Sequence, residues 1–187
     1  VQGPPGTGKS YSTAFALLAR LQGAMAAGRP YRVVVSCKTH AALDVLLEKI
    51  ALAQRELAAW QAQAPDLFAQ SFDPRLLDAP IYRVEPRDTS PQGIITLSKG
   101  KENPNRAKFA AQPWAILGAT PGGIYKMANA GKSLFGRACA QCLVLDEASQ
   151  INLPEALRAS LLLEAGGQLI VVGDHRQMPP IVRHDWA

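Results

Sequence analysis

Short runs of consecutive apolar residues punctuate the chain at Arg32-Val33-Val34-Val35-Ser36, Ala115-Ile116-Leu117-Gly118-Ala119, Cys142-Leu143-Val144-Leu145 and Gln168-Leu169-Ile170-Val171-Val172. They are continuous rather than alternating, the pattern of parallel strands covered on both faces. Helical spacing lies between them. Ser10 to Ala27 is rich in Ala and Leu and ends near Gly28, and Thr39 to Ala53 puts Leu43, Leu46, Leu47 and Ile50 on one face. Asn152 is suited to cap a helix that carries Pro154 and Glu155 in its first turn and runs to about Glu164. Strands alternating with helices predict an α/β fold, a doubly wound parallel sheet with flanking helices.

The rhythm breaks between Gln54 and Pro113, where Gln, Ala and Pro dominate. A helix around Gln54 to Ala64 and short strands at Ile81 to Val84 and Ile94 to Leu97 are compatible with the pattern. A polar, basic run from Ser98 to Lys108 reads as a solvated loop or as a track for a phosphate backbone. An interval this long exceeds an ordinary connection. It is therefore expected to be an insertion or accessory subdomain at 54–113, on a core made of 1–53 and 114–187.

Bulk properties narrow the class. With 187 residues, 48% hydrophobic, the chain can bury one sizeable core. No apolar run approaches the roughly 20 residues of a membrane span, and the first residues lack the pattern of a secretory signal. The three cysteines, Cys37, Cys139 and Cys142, make no disulfide framework, and Cys139 and Cys142 lack the second ligand pair of a zinc site. A reducing compartment, cytoplasmic or nuclear, is expected. The net charge of +5 favours a polyanionic partner without identifying one. His40, His175 and His184 are not at metal-ligand spacing and read as surface or hydrogen-bonding groups, while Trp60, Trp114 and Trp186 read as packing residues.

Chemistry enters at the N-terminus. Gly3-Pro4-Pro5-Gly6-Thr7-Gly8-Lys9-Ser10 matches the phosphate-loop pattern G-x-x-x-x-G-K-[ST] at every fixed position, directly before a predicted helix. Glycines there let successive backbone N–H groups wrap a phosphate, and the helix start adds partial positive charge. Lys9 supplies a mobile cation for the β- and γ-phosphates of ATP, and the Ser10 hydroxyl a ligand for Mg²⁺. Further along, Leu143-Val144-Leu145-Asp146-Glu147 is an apolar strand ending in two acids. The pattern assigns Asp146 to Mg²⁺ and Glu147 to the attacking water, as general base or orienting group.

In these residues the chain resembles superfamily 1 helicases, most closely the up-frameshift-like group with D-E-A-x-Q. The segments that carry the likeness are Gln2 to Ser10; Thr39 to Leu47, with His40 where the family more often has Asn; Asp146-Glu147-Ala148-Ser149-Gln150; and Gly173 to Pro180, with Met178 where Leu is usual. They stand in the family's order from Gln2 to Pro180, and 54–113 is not covered. The resemblance implies a RecA-like P-loop domain that acts on single-stranded DNA or RNA. It implies that Gln177 senses the γ-phosphate, that Asp174 and Gln150 join the same polar cluster, and that Thr39 and Thr120 contact the strand backbone. Thr39 also reads as a helix N-cap, compatible with that contact, and Thr120 as a turn residue.

The resemblance further implies a second, downstream RecA-like domain bearing arginine fingers, without which this half is expected to be nearly inactive. Only Val1 and Gln2 precede the phosphate loop, so the strand leading into it is expected to be truncated and the isolated segment to fold poorly. Two other readings compete with an ATP-driven helicase: a P-loop ATPase switch or scaffold indifferent to nucleic acid, and a degenerate binding module. Intact Lys9, Ser10, Asp146, Glu147 and Gln177 speak against the last.

Overall fold

Branched aliphatic residues suit a pleated surface packed on both sides, and the apolar runs become strands. The computed structural model describes residues 3, 6–84, 92–97, 104–129 and 138–174, without the side chains of 104–106. In chain order the elements are α1 (Lys9–Ala26), β1 (Tyr31–Cys37), α2 (His40–Gln63), α3 (Pro65–Ser71), α4 (Arg75–Asp78), β2 (Ile81–Val84), β3 (Ile94–Leu97), α5 (Pro104–Ala111), β4 (Trp114–Gly118), α6 (Pro121–Asn129), β5 (Ala140–Asp146), α7 (Leu153–Ala159) and β6 (Leu163–Val171). Short 3-10 turns at Ala148–Gln150 and Ser160–Leu162 flank α7.

The six strands form one sheet in the order β3-β2-β4-β1-β5-β6. Every pairing in it is parallel. Because strand side chains alternate, the sheet feeds two cores. Val33, Val35, Cys37, Ile116, Cys142 and Val144 pack with α1 and α2 on one face. Val34, Ala115, Leu117, Leu143 and Leu145 pack with Phe109 of α5, Ile124 and Met127 of α6 and Ala159 of α7 on the other. This is the α/β parallel sheet with flanking helices expected of a RecA-like P-loop domain. Among the described residues no helix is long and apolar enough to cross a membrane.

Several local expectations are corrected. One helix, α2, runs unbroken from His40 to Gln63, where two were anticipated, and the anticipated division at residue 53 falls inside it. Within 54–113, β2 pairs with β4, so this interval contributes strands to the common sheet. Of the basic run, 98–103 lie outside the described residues, and its end belongs to the helix Pro104–Ala111, which the fully buried Phe109 anchors. Helix α7 stops at Ala159 rather than near Glu164, because β6 begins at Leu163 and pairs Leu163 with Ala140. A bulge between Ala140 and Cys142 takes up the resulting shift in register.

One glycine is required by packing. A Cβ on Gly118, at the end of β4, would lie 2.4 Å from Leu47 Cδ1 and 2.9 Å from Leu47 Cδ2. Leu47 is itself fully buried, so it has little room to yield. Gly118→Ala is expected to cost about 1–3 kcal/mol and Gly118→Val more, by the usual penalty for overpacking a core. The midpoint of chemical denaturation of the full-length protein, compared among the three forms, checks this order.

Candidate functional site

Parallel strands deliver their carboxyl ends to one edge of the sheet, where open α/β folds gather their chemistry. Here β1 ends at Cys37 and β5 at Asp146, and these two residues are register partners. The phosphate loop reaches the same edge. Gly3 donates its N–H to the Gly173 carbonyl at 3.4 Å, Ala148 N–H bonds the Val172 carbonyl at 3.0 Å, and Val172 N–H bonds the Leu145 carbonyl at 2.8 Å. These bonds stitch the loop, the end of β6 and the acidic segment together. Gly173 suits the junction, since a Cβ there would meet the backbone nitrogens of Ala148 and Ser149 at 3.3 Å.

The loop itself depends on left-handed backbone at Gly6 (φ 79°) and Gly8 (φ 78°), a conformation that costs a glycine nothing extra. Gly8 caps α1 without a side chain, so no side-chain oxygen competes with a ligand for the N–H groups of the first turn. Lys9 and Ser10 open that helix. The Lys9 ammonium is folded onto the Gly3 carbonyl at 2.5 Å and lies close enough to Asp146 to lower that carboxyl's pKa.

The two acids carry the site's clearest signature. Asp146 is buried, and burial raises its pKa, with the Glu147 charge adding to the rise; a backbone hydrogen bond from Glu147 and the Lys9 charge oppose it. Among the described residues, Asp146 Oδ1 and Glu147 Oε2 are buried without a hydrogen-bond partner, as are Thr13 Oγ1 and Ser36 Oγ. Leaving a carboxylate oxygen desolvated and unpaired is costly. Glu147 also holds a left-handed backbone (φ 51°) that a non-glycine residue adopts at a cost of about 1–3 kcal/mol. Strain and unmet hydrogen bonding at adjacent residues mark a place built for a ligand. A hydroxyl at Ser10 and a carboxylate oxygen without a protein partner at Asp146 suit a hard cation such as Mg²⁺, which is held by few protein oxygens together with phosphates and water.

Other predicted positions fall around this centre. Asp174 is buried just past Gly173, and Gln150 closes the turn after the acids through its N–H to the Glu147 carbonyl at 3.0 Å. Thr39 caps α2, its hydroxyl accepting from Ala42 N–H at 3.2 Å. Thr120 does likewise for α6, accepting from Gly123 N–H at 3.3 Å, which makes it a helix-start residue rather than a plain turn residue. Gly3, Gly6, Thr7 and Gly8 are described; Pro4, Pro5 and Gln177 lie outside the described residues, as do His175, His184 and Trp186. The three cysteines are buried free thiols. Trp114 is structural, donating to the Arg29 carbonyl at 2.9 Å beneath the Arg75 guanidinium, and Trp60 packs edge-on against Phe68 and Phe72.

Sequence reasoning missed Arg83. Its position in a short apolar strand carried no signal, yet its side chain is fully buried. Nε donates to Asp44 Oδ1 at 2.5 Å, an Nη1 proton goes to the Val84 carbonyl at 2.6 Å, and Nη2 meets His40 Nδ1 at 2.7 Å. This clamp fastens the start of α2 to β2 behind the site. Cys37 lies within the same charged neighbourhood, and burial pushes its thiol well up, with the Asp146 and Glu147 charges adding to the rise. A cavity of about 520 Å³ opens at the other end of the strands, beside Arg20, Tyr31, Gln141, Glu164 and Gln168. It contains none of the motif residues, and Arg20 and Tyr31 both donate to Gln168 Oε1 there.

Two outcomes follow from these environments. The Asp44 side chain is 33% exposed and that of Arg83 0%. Asp44→Ala strands a buried cation and is expected to cost about 3 kcal/mol or more, whereas Arg83→Met leaves only a carboxylate that water can reach and costs less. Denaturation midpoints of the two variants test the asymmetry. For Asp146, a pKa raised by folding means that its charged form opposes folding, and this opposition is relieved as pH falls through the folded pKa. Without nucleotide or metal, Asp146→Asn should raise the thermal midpoint over wild type, and by more near pH 8 than near pH 5. A gain that does not shrink on acidification would contradict this.

The relationships of the chain agree with this geometry. A stretch of 45 residues, 24% of the chain, is 51% identical to DNA replication ATP-dependent helicase/nuclease DNA2 of Saccharomyces cerevisiae. The matched stretch is 3% of that protein's length. A family described as an AAA domain matches residues 1–186. The phosphate loop, the paired acids and the parallel sheet that brings them together are those of a nucleotide-binding P-loop domain. The chain belongs to the AAA domain family, a helicase-like P-loop family.

Proposed function

We propose that the chain is the ATP-binding and hydrolysing half of a superfamily 1 nucleic-acid helicase or translocase of the up-frameshift-like group. The observation that carries the reading is the pair of unpartnered, buried carboxylate oxygens on Asp146 and Glu147 beside the Lys9-bearing loop. The helicase half of the reading draws on the motif order and on the likeness to a helicase/nuclease.

In this reading the N–H groups of Gly6 to Ser10 cradle the phosphates of ATP, with Gly3, Pro4, Pro5 and Thr7 shaping the loop, and Lys9 offsets the charge that builds on the β- and γ-phosphates. Ser10 and Asp146 would hold Mg²⁺, which would supply further neutralisation of the phosphate charge. Glu147 Oε2 accepts a proton from the attacking water or aligns it. Gln177 senses the γ-phosphate, and Gln150 and Asp174 complete the polar cluster. Thr39 and Thr120 sit at the starts of α2 and α6, where a hydroxyl and first-turn N–H groups suit the phosphates of a single strand of DNA or RNA.

The ATP-binding core draws on the chain on both sides of 54–113, and the strands of that interval extend its sheet beyond β4. A second RecA-like domain of the same protein supplies the arginine fingers, worth roughly 10³ to 10⁵ in rate. We place the protein in the cytoplasm or nucleus, where buried free thiols such as Cys37, Cys139 and Cys142 persist.

In the full-length protein, Glu147→Gln is expected to lower ATP turnover by about 10² or more while nucleotide still binds. Turnover of the wild type is expected to rise on adding single-stranded DNA or RNA. A steady-state ATPase assay with and without oligonucleotide decides both points. An unstimulated wild type would make the chain a P-loop switch or scaffold instead, and full activity in Glu147→Gln would remove that residue from the water-activating role.

A further inference from the structure

Glu155, in the first turn of α7, directs its two carboxylate oxygens to different parts of the molecule. Oε2 accepts the Asn152 N–H at 3.1 Å. With the Glu155 N–H donated to Asn152 Oδ1 at 2.9 Å, this closes a capping box. Oε1 takes the ammonium of Lys38, 117 positions earlier in the chain. The Lys38 and Glu155 side chains are 35% and 22% exposed, so the pair is partly shielded from water.

The places these residues occupy give the contact its interest. Lys38 is the first residue after β1. It stands between Cys37, the register partner of Asp146, and Thr39, the cap of α2. Glu155 follows the acidic segment through one 3-10 turn and the Asn152 cap. The ion pair therefore bridges, across the top of the sheet, the start of α2 and the helix into which the acids lead. A capping box works as well with Gln as with Glu. The full charge on Glu155 serves the Lys38 pair and, more weakly, the positive start of α7.

We propose that Lys38 and Glu155 are a positioning pair that couples the start of α2, where the strand is held, to the Asp146–Gln150 segment that acts on ATP. The inference rests on the helicase reading above. Neither residue is among those assigned above to the nucleotide or the strand. Their contact keeps Thr39 and the acids in one rigid arrangement, so that a strand bound at α2 is felt at the water-activating carboxylate. The sheet also joins the two edges, through the pairing of β1 with β5, whereas the α2 clamp at Arg83 leads away from the acids.

Single and double variants of the full-length protein test this with an ATPase assay, using oligo(dT) and oligo(rU) as probes. Glu155→Gln keeps an oxygen for the Asn152 N–H and removes the charge; Lys38→Met leaves the cap intact. Each is expected to leave basal turnover and the thermal midpoint near wild type and to reduce the maximal fold-stimulation by strand about threefold or more. The double variant should be no worse than either single one, since both remove the same contact. Unchanged stimulation, additive losses, or basal and stimulated rates falling together would overturn the inference. If Glu155→Gln lowers the thermal midpoint, Lys38→Met decides alone. A wild type that ignores both probes overturns the helicase reading and this inference with it, whereas a stimulated wild type matched by its variants overturns the inference only.

Discussion

One buried carboxylate and one half-buried neighbour, each with a buried oxygen left unpaired among the described residues, impose the constraint around which this edge of the protein is arranged. Asp146 is buried at the end of β5, and neither it nor Glu147 has a partner for every oxygen. Such an arrangement is unstable in isolation, and the surrounding structure over-determines it. Strand β5 lies between β1 and β6 and is hydrogen-bonded to both. The Ala148 and Val172 N–H groups pin the turn that follows, and the left-handed backbone of Glu147 is held against its own preference. The protein accepts lower stability here to keep a buried carboxylate beside the phosphate loop.

The rest of the edge follows from that carboxylate. A phosphate loop supplies what the acids lack: N–H donors, a helix start without a side-chain cap, and an ammonium close enough to lower the Asp146 pKa. Ion pairs then hold the neighbouring helices. Arg83, fully buried, ties α2 to β2, and Lys38 ties the connection before α2 to α7. Exposed ion pairs contribute little to stability, and buried ones cost much of what they return. Their value here is geometric, since one fixes the start of α2 on β2 and the other fixes the connection before α2 on α7.

Much of the fold was legible because its signals are local. Continuous apolar runs announce strands covered on two faces, and β1, β4 and β5 appear within a few residues of expectation. Asn152 caps α7 as read, and with Glu155 it closes a capping box. The misjudged places are those where distant residues decide. Gln54 lies in an unbroken α2 because its side-chain amide donates to the carbonyls of Leu76 and Ala79, at 2.9 and 3.0 Å, so a polar residue that read as a break is a buried anchor. The early start of β6 depends on pairing with β5, which no window of sequence displays.

The sequence by itself determined the chemistry on offer: a phosphate-loop pattern, an acidic pair at a strand end, and the α/β class that would carry them. Spacing along the backbone suffices for these, since each is encoded within one strand–turn–helix unit. Only the tertiary structure decided that Asp146 is desolvated beside Lys9, that Cys37 and Asp146 end their strands side by side, and that Arg83 and Glu155 each reach a partner far off in the chain. Burial and pairing are properties of the whole sheet. A charged residue in a short apolar run looks the same in sequence whether it meets water or a carboxylate, and folding alone tells the two apart.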